Sequence, residues 1–179
     1  MHTSTQEALW VLRAQCDDRE ALELLLRSVQ PAVHRYLCGL VGPADAPDVL
    51  QEVLVQVYRQ LGWLETPGLF RPWVFRIASR AGFRHLRKER RWREQEREEA
   101  LLAEIPAPAP PPREGVLSAL PHMEGISPGS RAVLLLHFQE ELSLPEVAAV
   151  LELPLGTIKS RLAYGLTALR KQLTKRRNF

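Results

Sequence analysis

The run Pro106-Ala-Pro-Ala-Pro-Pro-Pro112 constrains this 179-residue chain more than any other stretch. Each proline lacks an amide donor and has its φ fixed, so neither helix nor sheet can continue through the run. It should be extended, polyproline-like chain acting as a semi-rigid spacer. The spacer divides the chain into an N-terminal part at 1–95, a linker at 96–114 and a C-terminal part at 115–179. Hydrophobic residues make up 45 % of the sequence, enough to build a packed core on each side.

The periodicity on both sides is helical, and no stretch alternates as a strand would. From Thr5 to Gly42, Ala8, Leu9 and Leu12 and then Ala21, Leu24 and Leu25 recur at spacings of three and four. Asp17-Asp18 reads as a break and a cap. Pro31 is expected in the first turn of a further helix, carrying Val33, Leu37, Leu40 and Val41, which Gly42-Pro43 stops. Asp45 to Leu61 follows, with Val49, Val53, Val57 and Leu61 as its apolar stripe. Glu65-Thr-Pro-Gly68 is a loop, and helix resumes at Pro72. Beyond the spacer, Val116 to Leu120 is a short helix. Ser127 caps the next, with Pro128 at its first position. The expected architecture is all-α: two small helical domains, the second a helix-turn-helix.

Charge is clustered rather than large. The net value is +3, yet eight Lys/Arg fall between Arg80 and Arg97 and five between Arg170 and Arg177. Such clustering suggests local contact with a polyanion, against the plainer reading of solvated helix faces. Cys16 and Cys38 form no CxxC, so they read as ordinary buried thiols. No metal, cofactor or catalytic constellation stands out. No apolar stretch reaches membrane-spanning length, so a cytoplasmic, soluble protein without membrane insertion is expected.

Ser143-Leu-Pro-Glu146 has capping-box spacing and opens the first helix of a helix-turn-helix. Ala148 and Ala149 permit close helix approach, and Glu152-Leu153 makes the turn. In the second helix, Ile158, Leu162, Leu166, Leu169 and Leu173 form a core stripe. Thr157, Ser160, Arg161 and Tyr164 lie opposite, with Gly156 before them and Lys159 on the flank. Hydroxyl and guanidinium groups near a helix N-terminus suit base-edge and phosphate contacts in a major groove.

The first part carries a different chemistry. Trp63, Phe70, Trp73, Phe75 and Phe83 interleave with Arg71, Arg76, Arg80 and Arg84. Aromatic rings beside cations suit single-stranded nucleic acid, where bases stack and phosphates are neutralised. The same rings could simply form the core of a small domain. Trp73, Phe75 and Ile77 are assigned to the core. The loop from Glu65 to Phe70 and the stripe Arg76, Arg80, Arg84, Arg87 and Arg91 are the better ligand candidates.

Asp45-Ala-Pro-Asp-Val-Leu-Gln-Glu-Val53, Phe70-Arg-Pro-Trp-Val-Phe-Arg-Ile-Ala78 and His85-Leu-Arg-Lys88 resemble the core region of extracytoplasmic-function (ECF) bacterial sigma factors. Leu120-Pro121 and Leu142 through Leu153-Pro-Leu-Gly-Thr-Ile-Lys-Ser-Arg-Leu162 resemble that family's promoter-binding region. The resemblance implies that Asp48, Gln51, Glu52 and Arg59 grip the β′ clamp helices of core RNA polymerase. It implies that Leu64, Glu65, Phe70, Arg71, Arg76, Arg80, Arg84 and Arg87 read and open the −10 element of promoter DNA. Gly156, Thr157, Lys159, Ser160, Arg161 and Tyr164 would enter the −35 major groove from a domain seated on the β flap. An anti-sigma factor would be a further partner.

Three positions depart from the family pattern. Arg80 stands where a small polar residue, often Asn, is usual, and Arg84 where an acidic or small polar one is common. Glu152 replaces the usual Gly of the turn, which implies either a left-handed non-Gly residue, costing about 1 kcal/mol, or a different turn. Two other functions remain open from sequence: a sigma-like decoy that binds polymerase or an anti-sigma factor without melting DNA, and a conventional helix-turn-helix regulator.

Overall fold

The computed structural model describes residues 2–88, 116, 120, 123 and 125–177. The proline run, Arg90, Arg91, Arg93 and most of the short helix expected at 116–120 lie outside the described residues. Among those described, every regular element is helical. An N-terminal group comprises α1 (His2–Gln15), α2 (Arg19–Val41), α3 (Ala46–Gln60) and α4 (Phe70–Lys88). A C-terminal group comprises α5 (Pro128–Leu134), α6 (Leu144–Leu151) and α7 (Leu155–Arg177).

The expected break between the first two helices is present. Asp17 takes φ 63°, and the Asp18 carboxylate accepts the Ala21 amide at 3.0 Å as the N-cap of α2. This turn carries Cys16 into solvent, while Cys38 on α2 is half-buried. The expectation of two buried thiols therefore fails for Cys16, which lies past the end of α1 and outside its apolar phase.

Pro31 starts no new helix, because α2 runs through it unbroken for 23 residues. A mid-helix proline costs about 3 kcal/mol. Against that, Leu25, Val29, Val33, Leu37 and Leu40 are all fully buried along one phase. Burying each such side chain contributes about 1.5–3 kcal/mol, so the stripe outweighs the proline. α4 likewise begins at Phe70 rather than at Pro72. Proline is tolerated in a first turn, where amides lack intrahelical partners anyway.

α2 and α4 meet closely where Gly82 faces Leu40: an added Cβ would stand 2.7 Å from Leu40 Cδ2. Beside this contact Ser79 donates to the Phe75 carbonyl at 2.8 Å. The buried Tyr36 hydroxyl is therefore left to donate to Ser79 Oγ, at 2.7 Å. The Tyr36 ring meets Phe75 edge-on, with centroids 5.6 Å apart.

In the C-terminal group, Ser127 caps α5 by accepting the Ser130 amide. α5 then widens into a π-helical turn over Leu135–Gln139, with the Glu140 amide reaching the Leu135 carbonyl at 3.1 Å. α5 and this turn pack on α2, and α6 packs on α4. The buried side chains of the two groups form one contiguous cluster. No helix among the described residues is long and apolar enough to cross a membrane.

Gly82→Val should lower stability by about 1–3 kcal/mol through overpacking against Leu40, read by urea denaturation. Unchanged stability would show that the Leu40 side chain moves aside without cost.

Candidate nucleic-acid interface

Asp48, Gln51, Glu52 and Arg59 are all exposed along the outer side of α3. Beside them an apolar groove of about 670 Å³ runs between α2 and α3, lined by Leu26, His34, Leu50, Leu54, Val55 and Tyr58. Val55 is 43 % and Tyr58 62 % exposed. Sequence reasoning passed over both, although both are apolar residues off the Val49–Val53–Val57 phase. Exposed apolar side chains clustered at a groove make it a candidate docking surface.

The segment from Leu61 to Phe70 is held from below. Gln15 Nε2 donates to the Leu61 and Leu64 carbonyls at 2.9 and 3.0 Å. Leu64 and Phe70 point into the core, and Phe70 rests against Trp73 with ring centroids 6.3 Å apart. The resemblance assigns both to DNA reading, and in this conformation neither is accessible. Glu65 is exposed as expected. The exposed apolar residues of the segment are Trp63, at 87 %, and Leu69, at 55 %. The helical phase already carried this signal: Leu61 and Leu64 share the inner side, which sends Trp63 outward.

The basic residues of α4 divide by partner. Arg71 is turned inward as a bidentate partner of Glu7, at 2.7 to 3.1 Å, and Glu7 is only 3 % exposed. Hydrogen bonding to Glu7 raises the Arg71 pKa, and the pair ties α1 to the start of α4. Arg76 is half-buried, and its Nε lacks a hydrogen-bond partner. Arg80 reaches the Glu152 carboxylate with Nε at 3.1 Å and Nη2 at 2.6 Å. Arg84 pairs with Glu52 on α3. Arg87 is exposed.

The helix-turn-helix forms at the expected residues. Ser143 and Glu146 make a complete capping box: Glu146 Oε2 accepts the Ser143 amide at 2.8 Å and its hydroxyl at 2.6 Å. Glu152 ends α6 in the left-handed region, at φ 57°. A left-handed non-Gly residue at the turn is thus what the chain adopts. The Arg80 guanidinium holds the Glu152 carboxyl below the usual carboxylate range.

At the start of α7, Gly156 and Lys159 are exposed. Thr157, Ser160, Arg161 and Tyr164 are half-buried rather than forming an open polar stripe. The Ser160 hydroxyl is turned back onto the Gly156 carbonyl at 3.1 Å. Arg161 lies with its guanidinium over Gly129, where a side chain would collide with it. Its carbonyl accepts the Ser130 hydroxyl at 2.9 Å. The phase explains this placement: Ile158 and Gly165, on either side of Arg161 along the helix, are buried.

Fold and surface together define a helical protein with an exposed apolar groove on one group and a helix-turn-helix on the other. Residues 25–92 match sigma-70 region 2, and residues 123–171 match sigma-70 region 4. The RNA polymerase sigma-H factor of Pseudomonas aeruginosa is 29 % identical, over 97 % of this chain and 96 % of its own length. The ECF sigma factor SigW of Bacillus subtilis is 28 % identical, over 87 % of this chain and 90 % of its own. Among solved structures, RpoE in complex with the anti-sigma factor NepR from Bartonella quintana superposes with a TM-score of 0.63 at 23 % identity, covering 85 % of this chain and 96 % of that one. CnrH in complex with the cytosolic domain of CnrY gives 0.66 at 23 %, covering 95 % and 98 %. The chain belongs to the sigma-70 family, as an ECF-type RNA polymerase sigma factor.

Ser143→Ala should cost about 1 kcal/mol of stability in the C-terminal group, read by thermal unfolding. Ser143 lowers the Glu146 pKa from 4.5. The cap therefore stabilises above pH 4.5 and is lost as pH falls through the lowered value. The variant should show a flatter acid limb than the parent; parallel limbs would contradict the capping role.

Proposed function

We propose that this chain acts by binding alone, without catalysis, and brings core RNA polymerase to promoters through a division of labour between its two helix groups. The reading rests above all on the two sigma-70 regions occurring in order on one fold. The N-terminal domain, residues 1–95, docks on the polymerase clamp helices through α3. Asp48, Gln51, Glu52 and Arg59 supply polar contacts around the groove, and Val55 and Tyr58 supply its apolar anchor. A buried aromatic ringed by polar residues is the usual form of an interface hot spot.

The exposed Trp63, Glu65 and Leu69 and the surface of α4 face the opened −10 strand. Trp63 is an exposed ring for stacking on an unpaired base, and Arg76, Arg80, Arg84 and Arg87 along α4 serve the phosphates. The linker, 96–114, spans the polymerase. The C-terminal domain, 115–179, sits on the β flap and offers Gly156, Thr157, Lys159, Ser160, Arg161 and Tyr164 to the −35 major groove. The work is done in the cytoplasm, where transcription occurs. The relative captured with NepR supports an anti-sigma factor as a further partner of this chain.

Binding to bacterial core RNA polymerase tests the docking surface. Tyr58→Asp should weaken it by about 2 kcal/mol or more, roughly thirty-fold, without lowering the melting temperature. Undiminished binding would move the interface elsewhere. Trp63→Ala should leave core binding intact and lower open-complex formation by about 1–3 kcal/mol, read by permanganate footprinting of the melted strand. Unchanged opening would remove Trp63 from the −10 site.

A further inference from the structure

A second cavity, of about 530 Å³, lies between α2 and the π-helical turn that follows α5. α2 supplies Arg35, Cys38 and the bare backbone of Gly39. Arg131 on α5 lines it too, with Leu135 and Gln139 at the two ends of the π-helical turn. Pro43, Leu120 and Met123 complete an aliphatic wall. A π-helical turn widens a helix by one residue, and such turns recur at functional sites. A mainly apolar lining with a few polar groups, at this volume, is the usual make-up of a small-molecule site.

The charges of this cavity do not balance. Arg131 is half-buried, and its Nε is cut off from solvent with no hydrogen-bond partner among the described residues. Burial lowers its pKa, and no described carboxylate opposes the shift. A desolvated cation costs free energy unless an anion meets it. Arg35 is differently placed, because it attracts the half-buried Glu140 carboxylate. Gln139 Nε2 donates to that same carboxylate at 2.9 Å. One cation of the cavity is thus short of a counter-charge, and it stands beside aliphatic walls. A single uncompensated charge matches a monoanion, and the planar edge of a guanidinium matches a carboxylate. The described walls carry no Phe, Tyr or Trp, so an alkyl chain fits them better than an aromatic ring.

We propose that this cavity is a binding site for a small aliphatic carboxylate. Its head pairs with the Arg131 guanidinium, and its chain lies against Cys38, Pro43, Leu120, Met123 and Leu135. The unbranched Met123 side chain can adjust to the length of the chain. Head and tail are both needed: the head supplies the missing counter-charge, and the tail removes apolar wall from water. A ligand bound there stabilises the native fold by mass action. The site stands on the cavity and its charges and is independent of the sigma reading.

The test uses the full chain carrying Cys16→Ser, which leaves Cys38 as the single thiol. Isothermal titration calorimetry reads its affinity for decanoate, with acetate as the head alone and decanol as the chain alone. Alkylation by iodoacetamide, a neutral reagent, reads access to Cys38. Arg131→Met removes the cation and keeps an unbranched side chain. Arg27→Met, at an exposed pair with Glu23 on α2, controls for net charge. Decanoate is expected to bind and to slow alkylation of Cys38, with acetate and decanol each weaker by about ten-fold or more. Arg131→Met should weaken decanoate by about ten-fold or more and leave decanol unchanged, and Arg27→Met should change neither. Failure of decanoate to bind would overturn the site. Decanol binding as tightly as decanoate would leave an apolar cavity without an anion subsite and overturn the carboxylate assignment. Binding that leaves Cys38 alkylation unchanged would place the ligand elsewhere, as would full affinity in Arg131→Met. Equal weakening by Arg131→Met and Arg27→Met would reduce the effect to net charge. The comparison of the three ligands and the alkylation rate need no change at Arg131, so they decide the matter even if Arg131→Met does not fold.

Discussion

The burial of α2 is the constraint on which the remaining structure depends. α1, α3 and α4 pack on it in the N-terminal group, and α5 and the π-helical turn reach it from the C-terminal group. One continuous stripe, from Ala21 through Leu25, Val29, Val33 and Leu37 to Leu40, serves these neighbours. Its burial is strong enough to carry the helix through Pro31. It also fixes which residues the other helices can show. Once Val49, Val53 and Val57 face α2 and its neighbours, Asp48, Glu52, Val55 and Arg59 must face outward. The mixed polar and apolar outer face of α3 is a consequence of the core.

The same reasoning accounts for the two kinds of arginine on α4. Arg71 sits close enough to α1 to be drawn into a nearly buried pair with Glu7, and removing either partner of such a pair is expensive. Arg80 and Arg84 pair at the surface, where solvent screening leaves each contact worth about 1 kcal/mol or less. The first is architecture. The second and third are weak contacts that solvent can reach.

Much of this was legible in the sequence because the signals are local. The all-α architecture, the Asp18 cap and the Ser143–Glu146 box follow from spacing and from backbone preference, while the left-handed Glu152 is one of the two turns that the family resemblance leaves open. The exposed face of α3 follows from a single periodicity. What escaped was set by contacts between distant segments. The seating of the Leu61–Leu64 backbone on α1, through Gln15, joins residues 46 and 49 positions apart. Arg161 lies over Gly129 because the two are brought together only when α5 meets α7. Pro31 was misplaced because a local cost was weighed without the burial that opposes it. The pairing of Arg80 with Glu152 joins two residues that are each unusual at their own position, and only the packing of α6 on α4 relates them.

The central claim is that the two helix groups together confer promoter selection on core RNA polymerase. Run-off transcription with bacterial core polymerase, this protein and a library of promoter fragments tests it most directly. The account predicts transcripts that start downstream of a shared two-part motif, one element for each group, and none from core polymerase alone. Tight association with core polymerase and no specific transcript from the library would contradict it.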